Sequence, residues 1–109
     1  ALLPLIKKST DARIVFTSSG VGRKGRAYWG AYGVSKFATE GLMQTLADEL
    51  DDVGVNCINP GGTRTAMRKA AYPGEDPSTL LTPADIMLPY LYLIGPDSQG
   101  TSGTSFDCQ

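Results

Sequence analysis

Three short apolar runs, set between stretches of helical periodicity, constrain this chain more than any other feature. Residues 13–18 (RIVFTS) place Ile14, Val15 and Phe16 in succession, and residues 53–59 (VGVNCIN) form a second run. Residues 104–107 begin a third. A run that is apolar throughout, rather than alternating, is the mark of a strand covered on both faces in a parallel sheet. Between the first two runs, residues 31–51 read as a helix. Leu42, Leu46 and Leu50 recur at four-residue spacing as its expected core stripe, with Glu40, Gln44, Asp48 and Asp51 elsewhere. Tyr32, Val34, Phe37, Ala38 and Met43 spread around its first half, which predicts one face on the sheet and another against a partner. Residues 1–8 resemble the tail of a helix, with Lys7 and Lys8 suited to its C-terminus. A helical turn is expected near residues 66–71 within an otherwise irregular stretch, 63–81. Thr82, Pro83 and Asp85 form a helix start of the capping-box kind. That helix should run to Gly95-Pro96, with Pro89 either kinking it or marking a later true start. Helix, strand, helix, strand, helix, strand is the order of an α/β fold with a parallel sheet.

Composition narrows the chemistry. Ten Lys+Arg against eleven Asp+Glu leave a net charge of -1 over 109 residues, with no general pull toward nucleic acid or an anionic membrane. There is no His, so Ser-His-Asp and Cys-His catalysis and imidazole-ligated zinc are excluded within this chain. Cys57 and Cys108 lie far apart in no metal-like spacing, and Cys57 reads as a reduced core thiol. No metal site is expected. The apolar stretches at 1–6 and 87–94 are too short to span a bilayer, and each contains Pro. No signal peptide is visible, so a cytoplasmic location is expected. The chain starts at Ala1 in mid-pattern, which suggests sequence upstream.

Gly20-Val21-Gly22-Arg23-Lys24-Gly25 matches the dinucleotide fingerprint G-x-G-x-x-G and follows a strand. The fingerprint needs its third glycine inside the opening turn of a helix, where the pyrophosphate meets the helix N-terminus. Here five residues separate Gly25 from Ala31, so the stretch reads as a flexible loop beside a pocket. A stronger constellation is Tyr32 and Lys36, four residues apart and therefore on one helix face. An ammonium near a phenol favours the phenolate, which makes Tyr a usable acid or base. Ser19 lies at the end of the first strand, thirteen positions before Tyr32, with Ser18 a rival for the same role. Active groups of parallel sheets gather at the C-terminal ends of strands, so a serine there can share a cleft with Tyr32. Asn59-Pro60-Gly61 closes the next strand at the same edge. Gly61-Gly62 lets backbone groups approach a ligand, and Thr65 adds a hydroxyl.

Ser19-Gly20-Val21-Gly22, Tyr32-Gly33-Val34-Ser35-Lys36 and Asn59 to Thr65 (NPGGTRT) together resemble the second half of a short-chain dehydrogenase/reductase. The resemblance covers almost the whole chain. It implies the last three strands, with crossover helices, of a Rossmann-like doubly wound parallel sheet. Residues 1–109 would be the C-terminal part of a single NAD(P)-binding domain, with the half that holds the cofactor phosphates upstream of Ala1. It implies Tyr32 as general acid/base, Lys36 assisting it and hydrogen-bonding the nicotinamide ribose, and Ser19 polarising the substrate carbonyl or alcohol. Pro60, Gly61 and Gly62 would wall the nicotinamide, while backbone groups of Thr63 and the Thr65 hydroxyl would hold its carboxamide. Residues 64–81 would close over substrate, where Arg64 and Arg68 are either solvated or meet an anion. NADP or NAD would be the cofactor, with NADP favoured, and a small carbonyl or alcohol the substrate. A homo-oligomer through helix 31–51 is expected. The family's Gly-rich phosphate loop, its Asn-Ala-Gly segment and its catalytic Asn have no match here. The competing readings are a non-catalytic α/β interaction domain that keeps inherited residues and a Ser-Lys hydrolase built on Ser35 or Ser19 with Lys36.

Overall fold

The computed structural model describes all 109 residues. Its elements follow the order α1 (Leu3–Ile6), β1 (Ala12–Thr17), α2 (Gly30–Glu49), β2 (Val53–Asn59), α3 (Ala66–Ala71), α4 (Met87–Ile94) and β3 (Ser105–Asp107). The three strands form one parallel sheet in the order β1-β2-β3. Ala12 sits opposite Val53 and Thr17 opposite Ile58, while Cys57 faces Ser105 and Asn59 faces Asp107. The strands therefore end together, at one edge of the sheet.

Alternation along β2 divides its side chains between two layers. Val53, Val55 and Cys57 join Met43 and Leu50 in one buried cluster under α2, with Ala12. Ile58 lies on the opposite face, where α4 packs on β1 and β2 and supplies the fully buried Leu93. Tyr92 of α4 also meets Phe106 of β3, ring centroids 6.2 Å apart. Helices thus cover both faces of the sheet, which is the doubly wound arrangement. Asn56, fully buried, pins the turn before β3. Its amide donates to Thr101 O at 3.0 Å and its carbonyl accepts from Thr104 N at 3.2 Å.

One expectation about the helices changes, and one that was open between two outcomes is settled. The leucine stripe holds only toward the end of α2: Leu50 is buried and Leu46 packs on the core, but Leu42 is exposed, while Gly33, Glu40 and Met43 are buried further up the helix. Glu40 can turn inward because Arg23 and Ser105 meet its carboxylate there. Thr82 and Asp85 do cap each other, Thr82 N donating to Asp85 Oδ2 at 2.8 Å, but they open only a 3-10 turn, Ala84–Ile86. α4 starts afresh at Met87, so Pro89 falls in its first turn. A continuous helix from Thr82 would have required Pro89 to donate to Asp85 O with a nitrogen that carries no hydrogen.

Gly20–Gly22 is a second departure from expectation. It is a packed 3-10 turn with Val21 and Gly22 buried, not a flexible loop. A Cβ at Gly22 would lie 2.8 Å from the Lys36 carbonyl oxygen and 3.0 Å from Ser18 Oγ. The glycine is there for close approach to α2, not for a phosphate.

Gly22→Ala should therefore destabilise the fold by about 1–3 kcal/mol. Gly25→Ala, with nothing within 4 Å of the new Cβ, should be neutral or slightly stabilising; urea midpoints compare the two. Burial, followed by the nearby Glu40 carboxylate, pushes the Cys57 thiol up to about 11. Alkylation at pH 8 should reach the half-buried Cys108 in the native chain and Cys57 only after unfolding.

Candidate active site at the carboxyl edge of the sheet

The ends of β1 and β2, the first turns of α2 and the segment after β3 converge at one edge. Ser18 and Ser19 leave β1 in different environments. Ser18 is buried beneath the Gly22 turn, its backbone N–H donating to Ile58 O at 2.7 Å. Ser19 is half-buried in extended backbone, and its hydroxyl oxygen accepts a long 3.5 Å hydrogen bond from Val21 N–H. The Ser19 hydroxyl proton remains free for a ligand, whereas Ser18 has no path to one.

Tyr32 and Lys36 stand one turn apart on α2, with the Lys36 ammonium 5.6 Å from the centre of the Tyr32 ring. Lys36 Nζ donates to Thr17 O, at the end of β1, at 2.9 Å. An ammonium has three donors, so two remain for a ligand hydroxyl and for the phenol. The bond to Thr17 also ties the Tyr32-Lys36 face of α2 to the strand that delivers Ser19. Trp29, just before α2, packs its ring on Tyr32 at 5.5 Å and on Tyr72 at 6.3 Å. Aromatic faces therefore enclose one side of Tyr32.

The turn after β2 is built for close approach. Gly61 has φ +73, and its N–H donates to the side-chain oxygen of Asn59 at 3.1 Å. Gln109 places its carboxamide against this turn, donating to Pro60 O at 2.7 Å and Gly62 O at 3.3 Å. A Cβ at Gly61 would lie 2.6 Å from the Gln109 side chain. The carbonyls of this turn are thus satisfied by the chain's own Gln109 carboxamide. Thr63 is buried, its hydroxyl within 3.3 Å of Pro60 O and 3.4 Å of Gly61 O. The Thr65 hydroxyl accepts from Arg68 N at 3.2 Å as the cap of α3. It also donates to Thr63 O at 3.4 Å.

Residues 64–81 are more ordered than their composition suggests. Arg68 grips Glu75 with two bonds of 2.7 Å and lies over the Tyr72 ring at 3.9 Å. Arg68 holds the Glu75 carboxyl below the usual carboxylate range. Arg64 donates to the carbonyls of Ser78 and Leu80. Arg68 is thus committed to this segment by its carboxylate partner, whereas Arg64 is exposed and bonds only through Nη2, to neutral carbonyls.

Two groups that the sequence pattern did not single out join the site from beneath. Arg23 forks onto Asp107 at 3.1 and 2.6 Å, and Asp107 also accepts from Asn59 Nδ2 at 2.8 Å. Arg23 and Asn59 together hold the Asp107 carboxyl below its ordinary range. Glu40 was missed because its neighbours in sequence suggest a solvent face. Its position one turn after Lys36 was the available signal. A concavity of about 480 Å³ lies at the opposite edge, among Asp11, Arg13, Asp52, Gln99 and Thr101, and holds none of these groups.

The family model for short chain dehydrogenases matches residues 1–76. The uncharacterized oxidoreductase YciK of Escherichia coli (strain K12) is 64% identical over 110 residues, covering 100% of this chain and 44% of that protein. A protein described as a short chain dehydrogenase of Shigella flexneri 2a str. 301, solved in complex with NADP, superposes with a TM-score of 0.98 at 64% identity. A counterpart from Escherichia coli CFT073, solved with NADPH, gives the same score and identity, and both comparisons cover 100% of this chain and 46% of the solved one. The chain therefore spans under half the length of these relatives. No helix in the structure is long and apolar enough to cross a membrane. With its parallel sheet, its helices on both faces and its family match over most of its length, the chain belongs to the short-chain dehydrogenase family of oxidoreductases.

Proposed function

We propose that this chain carries the proton-transfer half of an NAD(P)-dependent oxidoreductase acting on a carbonyl or alcohol carbon. The observation that supports this most is the meeting of Ser19, Tyr32, Lys36 and the Pro60-Gly61-Gly62 turn at one edge of the sheet. The residues present suit the nicotinamide-ribose end of the cofactor. Lys36 has spare donors for ribose hydroxyls, the Gly61-Gly62 backbone carries no side chain to keep a flat ring away, and Thr63 and Thr65 follow it with polar groups for a carboxamide. No run among the 109 residues suits its phosphates, so we place the phosphate-holding part upstream of Ala1, in the same dinucleotide-binding domain. NADP is the favoured form, in keeping with the two relatives solved with NADP and NADPH.

Bound there, the cofactor supplies or accepts the hydride at the carbon of the reacting C–O bond. Ser19 donates a hydrogen bond to the substrate oxygen and fixes its direction. Tyr32 hands its phenolic proton to that oxygen in reduction and takes it back in oxidation. The Lys36 ammonium supports the negative charge left on the Tyr32 oxygen, while its bond to Thr17 O keeps it at the correct end of α2. Pro60 and Gly61 form the wall beside the nicotinamide, and Thr63 shapes the turn that receives its carboxamide. Thr65 acts through the cap of α3, setting where the 64–81 segment lies. Trp29 covers one side of the Tyr32 ring and is itself backed by Tyr72.

The exposed Val34, Phe37 and Leu42 on α2 support a homo-oligomer that buries this helix between subunits. A cytoplasmic enzyme with a small-molecule substrate completes the proposal.

The test grafts this chain in place of its matching segment in the Escherichia coli CFT073 relative. Turnover is followed as NADPH oxidation with a panel of aldehydes, ketones and aromatic dicarbonyls. Tyr32→Phe should lower kcat at least ~100-fold while changing NADPH affinity little, as expected when a general acid is lost. Parent-like turnover by Tyr32→Phe, or a parent inert toward every carbonyl offered, contradicts the assignment.

A further inference from the structure

We infer that Arg23 is a positioning residue that holds the serine turn, the Tyr32-Lys36 helix and the Pro60-Gly61 turn in mutual alignment. This rests on the proposed roles of Ser19, Tyr32 and Lys36. Arg23 closes the Gly20–Gly22 turn, its N–H donating to Gly20 O at 3.2 Å, and lies four residues after Ser19. Its guanidinium reaches out of that turn in two directions. One edge forks onto Asp107 at the end of β3, with bonds of 3.1 and 2.6 Å. The other places Nε 3.8 Å from Glu40 Oε1 on α2.

Each carboxylate leads onward to a site segment. Asp107 Oδ1 also accepts from Asn59 Nδ2 at 2.8 Å, and Asn59 Oδ1 in turn accepts from Gly61 N at 3.1 Å. The serine turn and the nicotinamide wall are therefore joined through a single arginine-carboxylate-carboxamide chain. Glu40 sits one helical turn from Lys36 and two from Tyr32, and its second oxygen accepts from the Ser105 hydroxyl. Glu40 is 5% exposed, and its Oε1 has no hydrogen-bond partner. The Arg23 charge is what compensates that oxygen. Arg23 forks onto Asp107 with two nitrogens while its third stays beside Glu40, a fixed planar geometry that the single nitrogen of a lysine does not reproduce.

An exposed ion pair contributes little to stability, and the Arg23 and Asp107 side chains are 36% and 48% exposed. Their value lies in geometry, because a misplacement of about 1 Å costs up to ~100-fold in rate. Conservative variants separate alignment from folding. Arg23→Lys keeps a charge beside Glu40 but loses the fork, and Asp107→Asn keeps an acceptor for Asn59 but loses the charge.

The grafted protein described above, with NADPH and the carbonyl that it reduces fastest, provides the assay. Arg23→Lys and Asp107→Asn should each lower kcat ~10-fold, leave NADPH affinity within about twofold, and keep a parent-like melting temperature. The double variant should be no slower than either single one, since both break one linkage. Hydrogen exchange should quicken together at residues 19–23 and 59–62 in both variants and stay unchanged elsewhere. Parent-like kcat in the single variants, or losses that multiply in the double one, overturns the inference. Should Tyr32→Phe retain turnover, the proposed function fails first. Exchange then decides the linkage by itself: coupled quickening at the two turns upholds it, and unchanged exchange overturns it.

Discussion

Everything at the candidate site depends on the parallel pairing of β2 with both of its neighbours. Parallel strands in register end on the same side, so whatever follows Thr17, Asn59 and Asp107 is delivered to one edge. The serine turn, the Pro-Gly-Gly turn and the C-terminal residues meet there although they are separated by tens of positions in sequence. The helix between β1 and β2 must return along the sheet, and its first turns begin at that same edge. Tyr32 and Lys36 lie in those first turns. An antiparallel arrangement of the same strands would scatter the three segments to opposite ends.

Polar groups under the edge convert this proximity into a defined geometry. Lys36 bonds to Thr17 O, Arg23 to Asp107, Asp107 to Asn59, and Asn59 to the Gly61 N–H. The first three bonds cross between elements, and the last closes the turn after β2. Gly22 removes the side chain that would keep the serine turn off α2, and the backbone freedom of Gly61 shapes the turn opposite. The rigid part of the site is thus made from backbone approach and charge-assisted hydrogen bonds, with the apolar core under α2 as its base.

The fold was legible because its signals are local. Ile14-Val15-Phe16 and the VGVNCIN run announce buried strands whatever their partners, and Pro60-Gly61-Gly62 announces the turn. Helix spacing alone places Tyr32 and Lys36 on one face, and the pair stands out only beside Ser19 at the strand end and the family resemblance. What stayed hidden depends on long-range partners. Glu40 reads as a solvent residue until Arg23 and Ser105 are seen to meet it. Arg68 reads as a free charge until Glu75 takes it up. The break between Ala84–Ile86 and α4 turns on one missing N–H at Pro89, a signal present in sequence but open to two outcomes. The Thr65 hydroxyl, which the resemblance casts as a cofactor contact, also caps α3.

The chain spans under half of its relatives and concentrates groups for proton transfer while offering no phosphate loop. That division gives the central claim a direct test: a crystal structure of the grafted protein with bound NADP. The account predicts the nicotinamide ring against Pro60 and Gly61, its ribose within hydrogen-bond reach of Lys36, and the Tyr32 and Ser19 hydroxyls facing its reactive carbon. A nicotinamide seated away from the 60–62 turn, with Tyr32 turned to solvent, contradicts it.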